Sequence, residues 1–160
     1  MTARAPAPGT ATASGATAPG VVLGVGLGGL VDGWGLHQIL QVHNMLSARV
    51  PPVTMEAMRT NMVADGLFDA GAWAIVLAGA VMLWAAGRRG DVPNGRRFVG
   101  QLIAGFGVFN LVEGVIDHHL LQLHHVVDRP AHVPLYDWAF LLVGGVGFLA
   151  LGALLNRRGS

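Results

Sequence analysis

The stretch FVGQLIAGFGVFNLVEGVIDHHLLQLHHV, residues 98–126, begins as an apolar run and closes with four histidines and two carboxylates between Glu113 and Val126. A hydrocarbon core of about 30 Å takes roughly 20 helical residues to cross, so the run is long enough to span a bilayer. Three further segments, 21–46, 64–86 and 135–155, have the same character. Backbone groups in lipid must be satisfied within their own segment, which makes these segments helices.

The whole chain agrees with that reading. It has 160 residues, 52% of them hydrophobic and only 12% charged, with a mean hydropathy of +0.53. A soluble bundle would need polar outer faces that these segments lack. The expected fold is therefore all-α: an integral membrane four-helix bundle, one domain over residues 21–156. Residues 1–20, rich in Ala, Thr, Pro and Gly and without an apolar run, read as a disordered tail. The turns fall at VPP (50–52), DVPNG (91–95) and RPAHVP (129–134).

Arginine placement sets the expected orientation. Arg4, Arg88, Arg89, Arg96, Arg97, Arg157 and Arg158 lie in the tail, the second loop and the C-terminal end, against Arg49, Arg59 and Arg129 in the first and third loops. The positive-inside rule then puts both termini, including residues 157–160, in the cytoplasm. A net charge of +1 gives no basis for nucleic-acid binding. The absence of cysteine excludes thiolate metal sites and disulfides, so a metal must be held by imidazole, carboxylate or thioether. No internal repeat is evident, and the GxGxxG string at 24–29 lacks the preceding strand of a nucleotide-binding loop. The helix glycines instead point to close helix packing.

With that orientation, the polar residues collect in the outer half of the membrane. Asp32, Asp65, Asp69, Glu113, Asp117 and Asp137 are six carboxylates, and no arginine lies within the spans there. Each ionised group at membrane depth costs at least about 2.5–3.5 kcal/mol, so something must offset them. Protonation, protonated histidines, loop arginines and a bound cation are the candidates. The expected metal ligands are His37, His43, Asp65, Asp69, Glu113, Asp117, His118, His119 and His124, holding zinc, iron, manganese or copper. Asp117 and Glu113 are the candidates for a general base. His124 and His125 read equally as a solvated helix end, and His132 as a loop residue. Helical spacing places Asn110, Glu113, Asp117 and His124 on one face. Met55, Met58 and Met62 fall on one face of a short interfacial helix, where thioethers suit copper(I) or merely rest on lipid.

Several of these stretches carry a resemblance: DGWGLHQILQVHNMLS (32–47), NMVADGLFDAG (61–71), FNLVEGVIDHHLLQLHHV (109–126) and YDWAFL (136–141). They resemble a family of small bacterial predicted membrane proteins, domain of unknown function 2243, over residues 20–155. The resemblance implies a four-helix protein of the bacterial inner membrane and implies no activity. The family pattern has histidine where this chain has Asn44 and Asp69. Some members lie in genomic settings concerned with respiratory oxidase assembly, which favours copper.

The function expected from the sequence is an intramembrane metal site, with metal-activated water or dioxygen chemistry. The alternatives are non-catalytic copper or zinc handling, proton or ion conduction with Asp32 as relay, and a bis-histidine haem. The bilayer is the expected partner, with a homo-oligomer or larger membrane complex compatible with only four spans. The substrate is not legible.

Overall fold

The computed structural model describes residues 19–157. Most of the expected tail and residues 158–160 lie outside the described residues, while Pro19 and Gly20 already belong to the first helix. Among the described residues the chain is all-helical, with no strand. Four helices are long and apolar enough to cross a membrane: α1 (Pro19–Ile39), α2 (Met55–Arg89), α3 (Gly95–Leu120) and α4 (Pro134–Arg157).

Local chemistry fixes the ends of α2 and α3. Thr54 caps α2 by accepting from Ala57 N at 3.2 Å. Gly90 ends it with φ +72°, a conformation glycine adopts without strain, and Arg88 and Arg89 complement the last turn. Asn94 caps α3 by accepting from Arg97 N at 3.0 Å. The expected methionine-bearing interfacial helix is the beginning of α2, which starts at Met55 and not near residue 64.

α1 and α3 end earlier than their apolar runs suggest. Each closes with a π-helical stretch, Asp32–Ile39 and Gly114–Leu120. Such wider turns are frequent at functional sites. Each then breaks at a glutamine with positive φ, Gln41 (52°) and Gln122 (49°). His43 and His124 consequently stand on loops just beyond the helices. This corrects the expectation that His124 shares a helix face with Asn110, Glu113 and Asp117.

The burial pattern is inverted relative to a soluble protein. The buried apolar side chains are Leu30, Ala72, Ala86 and Leu141, whereas the buried polar ones include Asp32, His37, His43, Asn61, Asp65, Asn110, Glu113, His118, His124 and Asp137. Leu and Val side chains cover the outside, with Ile39, Leu67 and Leu135 at least 70% exposed. That arrangement is stable where the surroundings are hydrocarbon.

α1 and α3 form the centre, 50% and 39% buried against 11% for α2 and 17% for α4. α2 packs on α1 and α4 on α3. The central pair crosses on glycine. A Cβ at Gly24 would lie 3.0 Å from Gly105 Cα, and one at Gly105 would lie 2.9 Å from Gly24 Cα. Only hydrogen at both positions permits this approach.

These contacts reveal an internal repeat that the sequence reading missed. Gly24 meets Leu102 while Gly105 meets Val21, and Gly79 meets Leu23 as Gly152 meets Ala104. Ala48 N donates to Leu123 O at 3.0 Å, and Arg129 N donates to Val42 O at 3.1 Å. Ser47 Oγ donates to Asp128 Oδ2, its own counterpart 81 residues on. Two helix–loop–helix halves, α1–α2 and α3–α4, are thus related by a pseudo-two-fold axis. In the sequence the repeat reduces to DG···H··LQ·H (32–43) and EG···H··LQ·H (113–124), too few identities to stand out among neighbouring histidines.

Candidate metal centre

The axis passes between His43 and His124, whose rings stack at 4.6 Å with planes 17° apart. Around them lie the matched pairs Asp32 and Glu113, His37 and His118. These six side chains are at most 5% exposed.

Each imidazole presents Nδ1 to an oxygen. His43 Nδ1 donates to Val126 O at 2.9 Å, and His124 Nδ1 donates to Met45 O at 3.1 Å, each reaching the other half. His37 Nδ1 lies 3.1 Å from Asp65 Oδ1, and His118 Nδ1 lies 3.7 Å from Asp137 Oδ1. The two aspartates are themselves held in place. Asp65 accepts from Met45 N at 2.7 Å and Asn44 Nδ2 at 2.9 Å. Asp137 accepts from Val126 N at 2.9 Å and faces His125 Nδ1 and His132 Nε2 at 2.8 Å each.

Nδ1 of His43 and His124 is thus hydrogen-bonded, Nδ1 of His37 and His118 faces an aspartate without a hydrogen bond, and Nε2 of all four histidines lies toward Asp32 or Glu113. His37 Nε2 is 3.0 Å and His43 Nε2 3.5 Å from Asp32. His118 Nε2 is 3.5 Å and His124 Nε2 3.1 Å from Glu113. Yet Asp32 Oδ2, Glu113 Oε2 and Nε2 of His37, His43 and His118 are buried without a hydrogen bond. Buried polar atoms are normally paired, so five orphans aimed at one space call for a ligand. Imidazoles held at Nδ1 by a carboxylate or carbonyl are the usual arrangement of metal-bound histidines. Burial pushes the His124 imidazole below its ordinary pKa, favouring the neutral form that binds metals.

The donors form two compact sets in which ligand atoms lie within 4.8 Å of one another: Asp32, His37, His43 and His124, and Glu113, His118 and His124. A third set, His125, His132 and Asp137, lies at the bundle end, with His132 exposed.

Of the expected ligands, the structure gathers His37, His43, Glu113, His118 and His124 here, with Asp65 one step behind His37. Asp69 hydrogen-bonds Gln38 and stands outside the sets. His119 faces Gly114 O at 2.7 Å through Nδ1 and packs on Trp138. Asp117 is half-buried and also outside the sets. Asp32, kept apart from the expected ligands as a midplane acid, is central, and His125 and His132 are anchored on Asp137. The signal for Asp32 lay in the repeat, which pairs it with Glu113.

The loop arginines do not neutralise these acids. Arg49 donates to Leu121 O, and Arg129 Nη2 donates to Asn44 Oδ1 at 2.7 Å. Met55 and Met62 point outward, 81% and 70% exposed.

No curated protein and no solved structure matches the chain. A family model described as "Predicted membrane protein (DUF2243)" matches residues 19–159, and the chain belongs to that family.

Proposed function

We propose that this member of the DUF2243 family is an intramembrane metalloprotein that holds a first-row transition metal, iron or manganese foremost, in the carboxylate–histidine cluster. The observation that carries the reading is the convergence of buried donor atoms without hydrogen bonds on Asp32, His37, His43, Glu113 and His118. Two imidazoles and one carboxylate from each half are the donor combination of non-haem iron sites with open positions. A cation also offsets two carboxylates that would otherwise be costly to ionise at this depth.

The resemblance to small bacterial predicted membrane proteins supports an inner-membrane location, and the arginine bias supports cytoplasmic termini with the cluster toward the extracytoplasmic side. Apolar residues including Gly29, Leu67, Phe68 and Ala72 line a groove, and the Phe68 ring is 5.5 Å from His37. This suits a small apolar reactant such as dioxygen, and so redox or dioxygen chemistry over hydrolysis of a bulky substrate.

Copper handling is less favoured, because the exposed methionines lie apart from the donors. Proton conduction is also less favoured. Toward the opposite end, the buried polar residues among those described come down to Gln101, which accepts from Gly20 N at 3.2 Å. Elemental analysis of detergent-purified protein tests the proposal. Metal is expected in the wild type and lost in His37→Ala while helicity is kept. Absence of metal after incubation with iron(II), manganese(II), zinc and copper(I) would overturn it.

A further inference from the structure

We infer that the cluster is a dinuclear centre, with one divalent transition-metal ion per half, the two related by the axis that passes between His43 and His124. The inference rests on the proposed metal site and goes beyond it by fixing the number and placement of the ions.

Three observations carry it. First, the donors come in duplicate. Asp32, His37 and His43 in one half correspond to Glu113, His118 and His124 in the other, and each trio is backed by its own aspartate, Asp65 or Asp137. A pseudo-two-fold site has either one ion on the axis or two ions related by it.

Second, the donor spacing favours two. An ion bound at about 2.0–2.2 Å needs its donors gathered closely around it. The six side chains fall into two compact sets that share His124. His37 and His118, the outermost members, belong to different sets.

Third, the orphaned atoms are distributed on both sides. Asp32 Oδ2, His37 Nε2 and His43 Nε2 lack hydrogen bonds in one half, and Glu113 Oε2 and His118 Nε2 lack them in the other. A single ion filling the first set leaves the second unsatisfied. Two ions satisfy both, and their four positive charges exceed the two carboxylates, leaving room for a bridging hydroxide or oxide between them.

Manganese(II) loading of the purified full chain tests this. Bound manganese is counted, and its electron paramagnetic resonance spectrum is recorded, for the wild type, Asp32→Asn, Glu113→Gln and His132→Ala. The expected result is two ions per wild-type chain with an exchange-coupled signal, about one ion with an uncoupled six-line signal in Asp32→Asn and Glu113→Gln, and no change in His132→Ala.

The wild-type signal decides the matter even if a variant fails to fold. One uncoupled ion in the wild type would overturn the dinuclear inference and leave the metal site standing. Two uncoupled ions, with one lost in His132→Ala, would place the second ion on His125, His132 and Asp137 and also overturn it. No bound manganese, iron(II), zinc or copper(I) would remove both the inference and the proposed function beneath it.

Discussion

His43 and His124 stack face to face at 4.6 Å, and each donates its Nδ1 proton to a carbonyl of the opposite half. Each loop thereby fixes the imidazole of the other. The centre is complete only when both helix–loop–helix units are folded against one another, which ties the site to the fold.

Asp65 and Asp137 act through His37 and His118. Replacing either by Asn keeps the size and one acceptor but removes the charge facing Nδ1. Metal affinity is expected to fall about 10–100-fold with little change in helicity, as is usual for partners of ligating histidines. Competition with a chromogenic chelator measures this. Unchanged affinity in both variants would show that neither aspartate orients a ligand.

Metal removal should soften the protein. A ligand present at 100 times its dissociation constant stabilises the folded state by about 2.7 kcal/mol. The melting temperature in detergent is expected to drop on chelation and recover on adding back metal. The Asp32→Asn/Glu113→Gln double variant should no longer respond to chelator.

The glycine crossing gives a test independent of metal. Gly24→Ala and Gly105→Ala drive a Cβ into the backbone of the facing helix, and overpacking of this kind costs about 1–3 kcal/mol. Both variants are expected to melt lower than wild type. At Gly66 and Gly71 nothing lies within 4 Å of an added Cβ. Alanine there should be neutral or stabilising by up to about 1 kcal/mol, since glycine weakens a helix interior.

The Met55→Leu/Met58→Leu/Met62→Leu variant and Asp117→Asn are expected to keep full metal content. Loss of metal in the methionine variant would revive copper handling through the loop. Loss in Asp117→Asn would bring that carboxylate into the coordination sphere.

The spans were legible because hydrocarbon imposes a length and a composition that single residues cannot disguise. The polar layer was legible for the same reason, since carboxylates such as Asp32 and Glu113 are conspicuous in apolar runs. The helix ends were not. Apolar residues continue past Ile39 and Leu120, so nothing in the pattern marks the π-helical turns or the positive φ at Gln41 and Gln122. Missing those breaks put His124 on a helix face and hid its partnership with His43. The repeat was obscured because α2 and α4 face largely outward, where a sequence need only be apolar, and because His119 and His125 add histidines that double the motif's count. Asp137 illustrates the limit: its role behind His118 follows from a fold in which α4 packs on α3, and no local spacing announces it.

The most direct test of the central claim is X-ray absorption at the edge of whichever metal copurifies with the full chain. The account requires nitrogen and oxygen neighbours at about 2.0–2.2 Å, with the outer-shell scattering of several imidazoles, lost in the His37→Ala/His118→Ala variant. A sulfur shell from methionine, or an imidazole signal that survives that double substitution, would contradict it.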